Sequence, residues 1–391
     1  MITSFKTEGL SIGFDFDIDL AKDKPIYCFI GKNGIGKTQL LENMVKMFIY
    51  SHSAFEIDIT HCKNYAKFFI KNSDTELIHS FFVPLDIIFD NIKLKIKKGE
   101  GYDYYRANSK FDGNTFSHDK PIVFVGAKNR GFTKNVDTNN VKLLSDAQNR
   151  FVESFERTLK YLKGEGLEQE EIANWFVARL IINPNFVTQS QNKVYEAATV
   201  LKLIERLEPS IKLVDKNIDG SDKLNVSFYE GKLLINSIPL DKLSTGYVSI
   251  IKIFQEIVAG YGGWTNEENL NEVEGIVFID ELEPHLHISW QTKIIKILRE
   301  FFPKTTFYIS THSPLVLAGL KDGEGYELVR EGDIVKSKPI TNIENYFLND
   351  IVREFFDVDL NLERLSRAND DKKKKAKEAF ANLVKTLQED E

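Results

Sequence analysis

The sequence predicts an α/β fold with a mixed sheet at its core, a β-rich lobe and a helical insertion, and three observations predict it. An apolar run, Ile26–Ile30, enters the glycine-bearing segment GKNGIGKT and leaves it on a helical spacing of Leu40, Leu41, Met44, Val45 and Phe48. Two more short apolar runs end in polar loops, as GIVFIDELEPHLH and as FYISTHSP. Between about residues 142 and 208 the apolar period changes to that of helices. Short apolar runs alternating with helical stretches build a sheet with helices packed on it.

The elements follow in order. Ile12, Phe14, Phe16 and Ile18 alternate with Asp15, Asp17 and Asp19, the two-residue period of a half-buried strand. After the first helix, residues 55–125 look like a series of strands, among them Ile92, Leu94 and Ile96 alternating with lysines, and later PIVFVGAKNRG. Three helices follow, on Leu144, Phe151, Phe155, Leu159 and Leu162, on Ile172, Trp175, Phe176 and Leu180, and on Val194, Ala197, Leu201 and Ile204, closed by Pro209. A hairpin is expected over 224–235, turning at Glu230-Gly231. Then come a helix from near Gly246, a strand over 276–279, a helix over 287–301, a strand over 306–309, and two strands over 326–329 and 334–340. Phe380, Leu383, Val384 and Leu387 give the charged C-terminal stretch one helical stripe. The expected organisation is a core in two parts, 1–141 and 216–345, a helical insertion at 142–215, and a charged helical segment at 346–391.

Composition sets outer bounds. With 42% hydrophobic residues among 391, a wholly disordered chain is excluded. A net charge of -7 excludes a globally basic nucleic-acid binder. Cys28 and Cys62 are too few for a disulfide framework or a four-thiolate zinc site. No uncharged apolar run of about 18 residues occurs, and MITSFKTEGLS has no signal-peptide core, so a soluble, cytoplasmic protein is expected.

Four segments carry chemistry. Gly31, Gly36, Lys37 and Thr38 have the spacing of a phosphate loop, in which glycines let backbone N–H groups and a helix N-terminus wrap an anion. Lys37 then reaches the β- and γ-phosphates, and Thr38 offers its hydroxyl to magnesium. The alternative, a chance glycine turn, is opposed by the strand before it and the helix after it. Asp280 and Glu281 end an apolar strand, the edge at which open α/β sheets bind ligands. Asp280 suits a magnesium ion and Glu281 an attacking water, unless the pair is an acidic loop only. His312 sits at a similar strand end, as a γ-phosphate contact or an ordinary loop histidine. Ser244, Thr245 and Gly246 open a helix, as a second anion site or a plain cap.

In this order, from about residue 2 to residue 320, the segments resemble the ABC-type P-loop ATPases, with GKNGIGKT as Walker A, LSTGY as signature, IVFIDE as Walker B and STHSP as switch loop. The resemblance implies ATP and Mg2+ as ligands, with Gly31, Lys32, Asn33, Gly34, Ile35, Gly36, Lys37, Thr38 and Gln39 on the nucleotide. Thr38 and Asp280 would hold the metal, and Glu281 and His312 would be catalytic. It also implies a head-to-tail homodimer, the unit of any higher oligomer, in which Ser244, Thr245 and Gly246 cap the γ-phosphate bound by the other copy and LEPHLH lies at the interface.

Thr38 and Leu243 stand 205 positions apart, more than in transporter subunits, and the chain looks more like the RecF- and SMC-like branch. In particular it is similar to compact ATPases of bacterial anti-phage systems of the PARIS and Septu type, through DELEPHLH, THSP and NDIVREFFDVD. That implies control of a separately encoded effector, a nuclease or toxin, since the stretch after THSP is too short for the TOPRIM domain of the overlong-nuclease relatives. A DNA-repair or chromosome-maintenance ATPase and a slow nucleotide-gated scaffold are the rival readings. For contact with DNA or phosphate the candidates are Lys128 and Arg130 in VGAKNRG, and Lys93, Lys95 and Lys97, the latter set against a solvated strand edge. Gln39 and Gln148 are the candidates for a Q-loop, and Phe14 for an adenine contact or a core residue.

Overall fold

A computed structural model of the chain describes residues 2–8, 13–52, 85–90, 92–98, 105–109, 118–127, 130–131, 144, 147–162, 172–180, 192–265 and 267–356. The chain divides into two compact units, Met1–Glu344 and Asn345–Glu391. In the first, strands β1 (Ser4–Glu8), β2 (Asp15–Asp19) and β3 (Ile26–Ile30) precede helix α1 (Lys37–Tyr50). Strands β4 (Leu85–Phe89), β5 (Ile92–Lys98), β6 (Tyr105–Ser109) and β7 (Ile122–Val125) follow, and then helices α2 (Ala147–Leu162), α3 (Ile172–Leu180) and α4 (Val194–Leu207). Short strands β8 (Val214–Lys216), β9 (Asp222–Leu224), β10 (Val226–Tyr229), β11 (Lys232–Ile235) and β12 (Ile238–Pro239) lead to α5 (Thr245–Trp264). The unit closes with β13 (Ile276–Ile279), α6 (Ile288–Gln291), α7 (Ile294–Phe301), β14 (Thr306–Ser310), α8 (Pro314–Leu317), β15 (Gly325–Glu331) and β16 (Ile334–Pro339). Of the second unit, α9 (Leu348–Phe356) is described, and the stripe Phe380 to Leu387 lies outside the described residues.

Eleven strands form one sheet in the order β6-β5-β4-β1-β2-β16-β15-β3-β14-β13-β7. From β15 to β7 the neighbours run parallel, and from β6 to β2 they run antiparallel. The sheet is mixed, as the sequence predicts. β3, β13 and β14 are buried along their whole lengths, which is why they read as continuous apolar runs rather than alternating ones. Register places Tyr27, Tyr308 and Phe278 side by side on three neighbouring strands. Their rings stack at 5.1 Å and 5.0 Å, contributing roughly 0.5–1.5 kcal/mol per pair beyond burial.

Helices α2, α3 and α4 pack on α5, whose C-terminal half is cut for close approach. A β-carbon on Gly260, Gly262 or Gly263 would stand 2.4 Å from Val123, 2.4 Å from Glu196 or 2.6 Å from Ser154. Trp264 at the end of the helix meets Phe151 edge-on at 4.7 Å. Two buried ion pairs sit in this layer, Arg179 with Glu196 at 2.6 Å and Lys252 with Glu256 at 2.9 Å.

Two expectations change. The strand β1 was not legible, because one of its two inward residues is Thr7, which is 4% exposed and accepts the N–H of Phe16 at 2.9 Å. The helix expected over 287–301 is two helices. Between them Thr292 turns its hydroxyl onto the Ser289 carbonyl at 2.9 Å, a side-chain bond that competes with the helical ladder.

Candidate functional site

Four parallel strands, β3, β14, β13 and β7, end on one edge of the sheet, so their outgoing loops lie side by side. In the first loop Gly31, Gly34 and Gly36 have φ of 152°, 78° and 98°. Gly36 is needed twice over: its φ is left-handed, and a β-carbon there would press on the rings of Phe14 at 3.1 Å and Phe16 at 3.3 Å. Phe14 therefore supports the loop from below, with the Arg330 guanidinium 4.4 Å from its ring centre. Lys37, 6% exposed, donates its ammonium to the carbonyls of Gly31 at 2.8 Å and Lys32 at 3.2 Å. Burial pushes its pKa below the ordinary 10.5, and the charges of Glu281, Asp280 and Glu283 pull the other way.

Thr38, next on α1, places its hydroxyl on both carboxylate oxygens of Asp280, at 2.9 and 3.1 Å. Ser310, at the end of β14, serves both residues of the acidic pair. Its hydroxyl donates to Asp280 at 2.6 Å and accepts the backbone N–H of Glu281 at 2.8 Å. Glu281 takes a left-handed φ of 47°, which lifts it out of strand geometry. Arg130 holds that turn from the other side, donating one amino group to the carbonyl of Asp280 at 2.8 Å and also to that of Glu281.

The loop after β14 is tied to the same segment. Glu283 accepts from the Thr311 hydroxyl at 2.6 Å and from the His312 backbone N–H at 2.6 Å. Ser313 caps α8 by accepting the N–H groups of Leu315 and Val316. The half-buried His312 imidazole has its pKa pushed below 6.5, first by burial and then by the charge of Lys37. Ser244 caps α5, accepting the Tyr247 N–H at 3.3 Å, and both Ser244 and Thr245 are exposed. Gly246 is buried beneath the loop that follows Glu281, where Ser249 also donates to the Pro284 carbonyl at 3.1 Å.

The structure thus brings together Lys37, Thr38, Asp280, Glu281 and His312. Lys32 and Asn33 are exposed on the loop, and Ile35 packs inward. Gln39 turns toward the Gly13-Phe14 segment, accepting the Phe14 N–H at 3.4 Å. Arg130, a candidate for contact with DNA or phosphate, is 1% exposed and donates to the carbonyls of Ala127, Asp280 and Glu281. Lys128 lies outside the described residues. Lys93, Lys95 and Lys97 lie on β5, and their side chains, like that of Gln148, are outside the described set. Sequence reasoning missed Glu283 and Ser310. The spacing of two acids in DELE was the available signal for the first, and a serine closing an apolar run for the second.

A magnesium nucleotide fits these residues. The Thr38 hydroxyl and the Asp280 carboxylate converge as hard oxygen donors beside a buried ammonium, at the N-terminus of α1. Among the described residues no group of three or more His, Cys, Asp or Glu side chains could hold a metal ion.

A mixed sheet carrying a glycine loop, an acidic strand end and a histidine-bearing loop on one edge is the fold of a P-loop NTPase. Residues 14–317 match the family AAA_15, described as AAA ATPase domain, and the chain belongs to that family. It is similar to the Septu protein PtuA of Bacillus mycoides (strain KBAB4), 26% identical over 79% of this chain and 37% of that protein. A second Septu protein PtuA, from Bacillus thuringiensis, is 24% identical over 80% of this chain and 72% of its own length. The Retron Vc95 probable ATPase of Vibrio cholerae serotype O1 biovar El Tor is 25% identical over 80% of this chain and 70% of its own. The match therefore covers little more than a third of the Bacillus mycoides relative. Among the described residues no helix is long and apolar enough to cross a membrane.

Proposed function

We propose that the chain binds ATP with magnesium along residues 31–39 and hydrolyses it, and that ATP joins two copies head to tail. The observation that carries this reading is the bond between Thr38 and Asp280, residues 242 positions apart that meet at one point on the sheet edge. Magnesium, bound with the nucleotide, supplies positive charge to the β- and γ-phosphate oxygens.

Lys37 exchanges its bonds to the Gly31 and Lys32 carbonyls for phosphate oxygens. Thr38 and Asp280 keep the cation in register with the loop. Glu281, with its backbone fixed by Ser310 and Arg130, accepts the proton of the attacking water. His312, whose pKa burial and the charge of Lys37 push below 6.5, donates its ring N–H to the γ-phosphate. Ser244 and Thr245, exposed at the start of α5, together with Gly246 cap the γ-phosphate held by the second copy.

The names of the relatives, two Septu proteins and a retron ATPase, support a role in anti-phage defence, with this ATPase controlling a separately encoded nuclease or toxin. The test is assembly. Glu281→Gln with ATP should run as a dimer by light scattering, and Lys37→Ala as a monomer under the same conditions. Equal masses with and without ATP for Glu281→Gln would contradict the sandwich.

A further inference from the structure

One carboxylate at this edge has no part in the scheme above. Glu283 lies two residues past the proposed catalytic Glu281, in a loop where an acid ordinarily faces water. Instead both its oxygens are engaged, one by the Thr311 hydroxyl and one by the His312 N–H, each at 2.6 Å. Bonds to an ionised acceptor at such lengths are about twice as strong as neutral ones. The chain of contacts continues on each side. Leu282 donates its N–H to the Ser310 carbonyl at 3.1 Å. Thr311, fully buried, accepts the Ser313 N–H at 3.0 Å, and Ser313 donates its hydroxyl to Gln291 at 2.6 Å. The loop after β13 and the loop after β14 are therefore locked in one register, with Glu283 as the bridge. A carboxylate suits this position because two donors arrive side by side and need two acceptor oxygens, where an amide offers one.

We propose that Glu283 is a positioning residue that holds the switch loop so that the His312 imidazole stays beside Lys37 and Glu281. The proposal rests on the hydrolysis reading and adds to it a residue that acts through His312 without touching the nucleotide. Its removal lets the loop relax, and a displacement of about 1 Å costs on the order of 10²-fold in rate.

The experiment compares Glu283→Ala, His312→Ala and the double variant in single-turnover ATP hydrolysis, with ATP affinity measured on the same preparations. Each single variant should lose about 10²-fold in rate. Affinities should stay within about threefold, and the double variant within about twofold of His312→Ala, because the two residues act as one unit. Losses that multiply, or an affinity that falls as far as the rate, would overturn the proposal. Glu283→Gln guards against misfolding: it keeps the volume and one acceptor, and a wild-type rate in it also overturns the proposal. A readout free of turnover separates this from failure of the hydrolysis reading. In the nucleotide-free protein the His312 ring resonances, assigned by their absence from His312→Ala, should move on Glu283→Ala. If they do not move, the clamp is refuted whatever the ATPase rate. A wild-type protein with no ATP turnover would instead remove the hydrolysis reading alone.

Discussion

The α-carbon of Gly246 lies against the carbonyl oxygen of His285, so closely that a β-carbon would stand 2.4 Å from it. The first turn of α5 is thereby seated on the loop that follows Glu281, and His285 meets it with a left-handed φ of 67°. Gly246→Ala should therefore cost about 1–3 kcal/mol through overpacking, with no nucleotide present. Thermal unfolding checks this, and an unshifted midpoint would show that the loop gives way freely.

Because Gly246 has this role within one chain, the contact across an ATP-joined pair is better tested at Thr245, which is exposed. Thr245→Arg should keep the wild-type unfolding midpoint and yet stop Glu281→Gln from pairing in ATP. Pairing that survives the substitution, measured by light scattering, would separate this helix start from the dimer contact.

Arg130 should behave as a buried support. Arg130→Met leaves the carbonyls of Asp280 and Glu281 short of a donor, at a cost of roughly 1–3 kcal/mol, and it lowers turnover. Arg130→Lys should not restore either, since the ammonium ends one bond short of the amino group that makes both contacts and leaves no second nitrogen for the Ala127 carbonyl. Urea denaturation and phosphate release on both variants provide the check.

Arg179 and Glu196 form a pair whose side chains are 5% and 0% exposed. Arg179→Met alone strands a buried carboxylate and should cost about 3–5 kcal/mol, whereas Arg179→Met with Glu196→Leu should recover most of it. A double-mutant cycle in urea reads the difference. Additive losses would mean that the two groups do not depend on one another.

His118 carries a pH signature. Its Nε2 faces the Phe48 carbonyl at 2.8 Å and so bears the proton, and Nδ1 accepts the Lys120 N–H at 3.2 Å. Burial pushes its pKa from 6.5 to about 4. The unfolded chain thus takes up a proton at a higher pH than the folded one. The stability this group contributes is complete above pH 6.5 and is lost as pH falls toward about 4. His118→Gln should flatten that part of the pH dependence of unfolding, and equal slopes for both proteins would contradict the assignment.

What the sequence reveals here follows from how far apart the partners lie. Gly31, Gly36, Lys37 and Thr38 stand out because the spacing of a phosphate loop falls in eight consecutive residues between a strand and a helix. Asp280, Glu281 and His312 are legible because each ends or follows a short apolar run. The contacts of Glu283, Ser310 and Arg130 are not legible because their partners belong to loops of other strands of the sheet. Arg130 lies 150 positions from Asp280 and Glu283 29 from His312. Only the neighbour order β3-β14-β13-β7 sets them together, and no local period encodes that order. Thr7 hides β1 for a related reason, since its inward hydroxyl is satisfied by Phe16, a residue of the next strand.

Whether Glu281 drives hydrolysis is decided by phosphate release at saturating ATP and magnesium, for the wild type and for Glu281→Gln, with ATP affinity measured alongside. The wild type should turn over steadily, and the variant should keep its affinity with a rate lower by on the order of 10²-fold or more. Wild-type turnover in Glu281→Gln would contradict it.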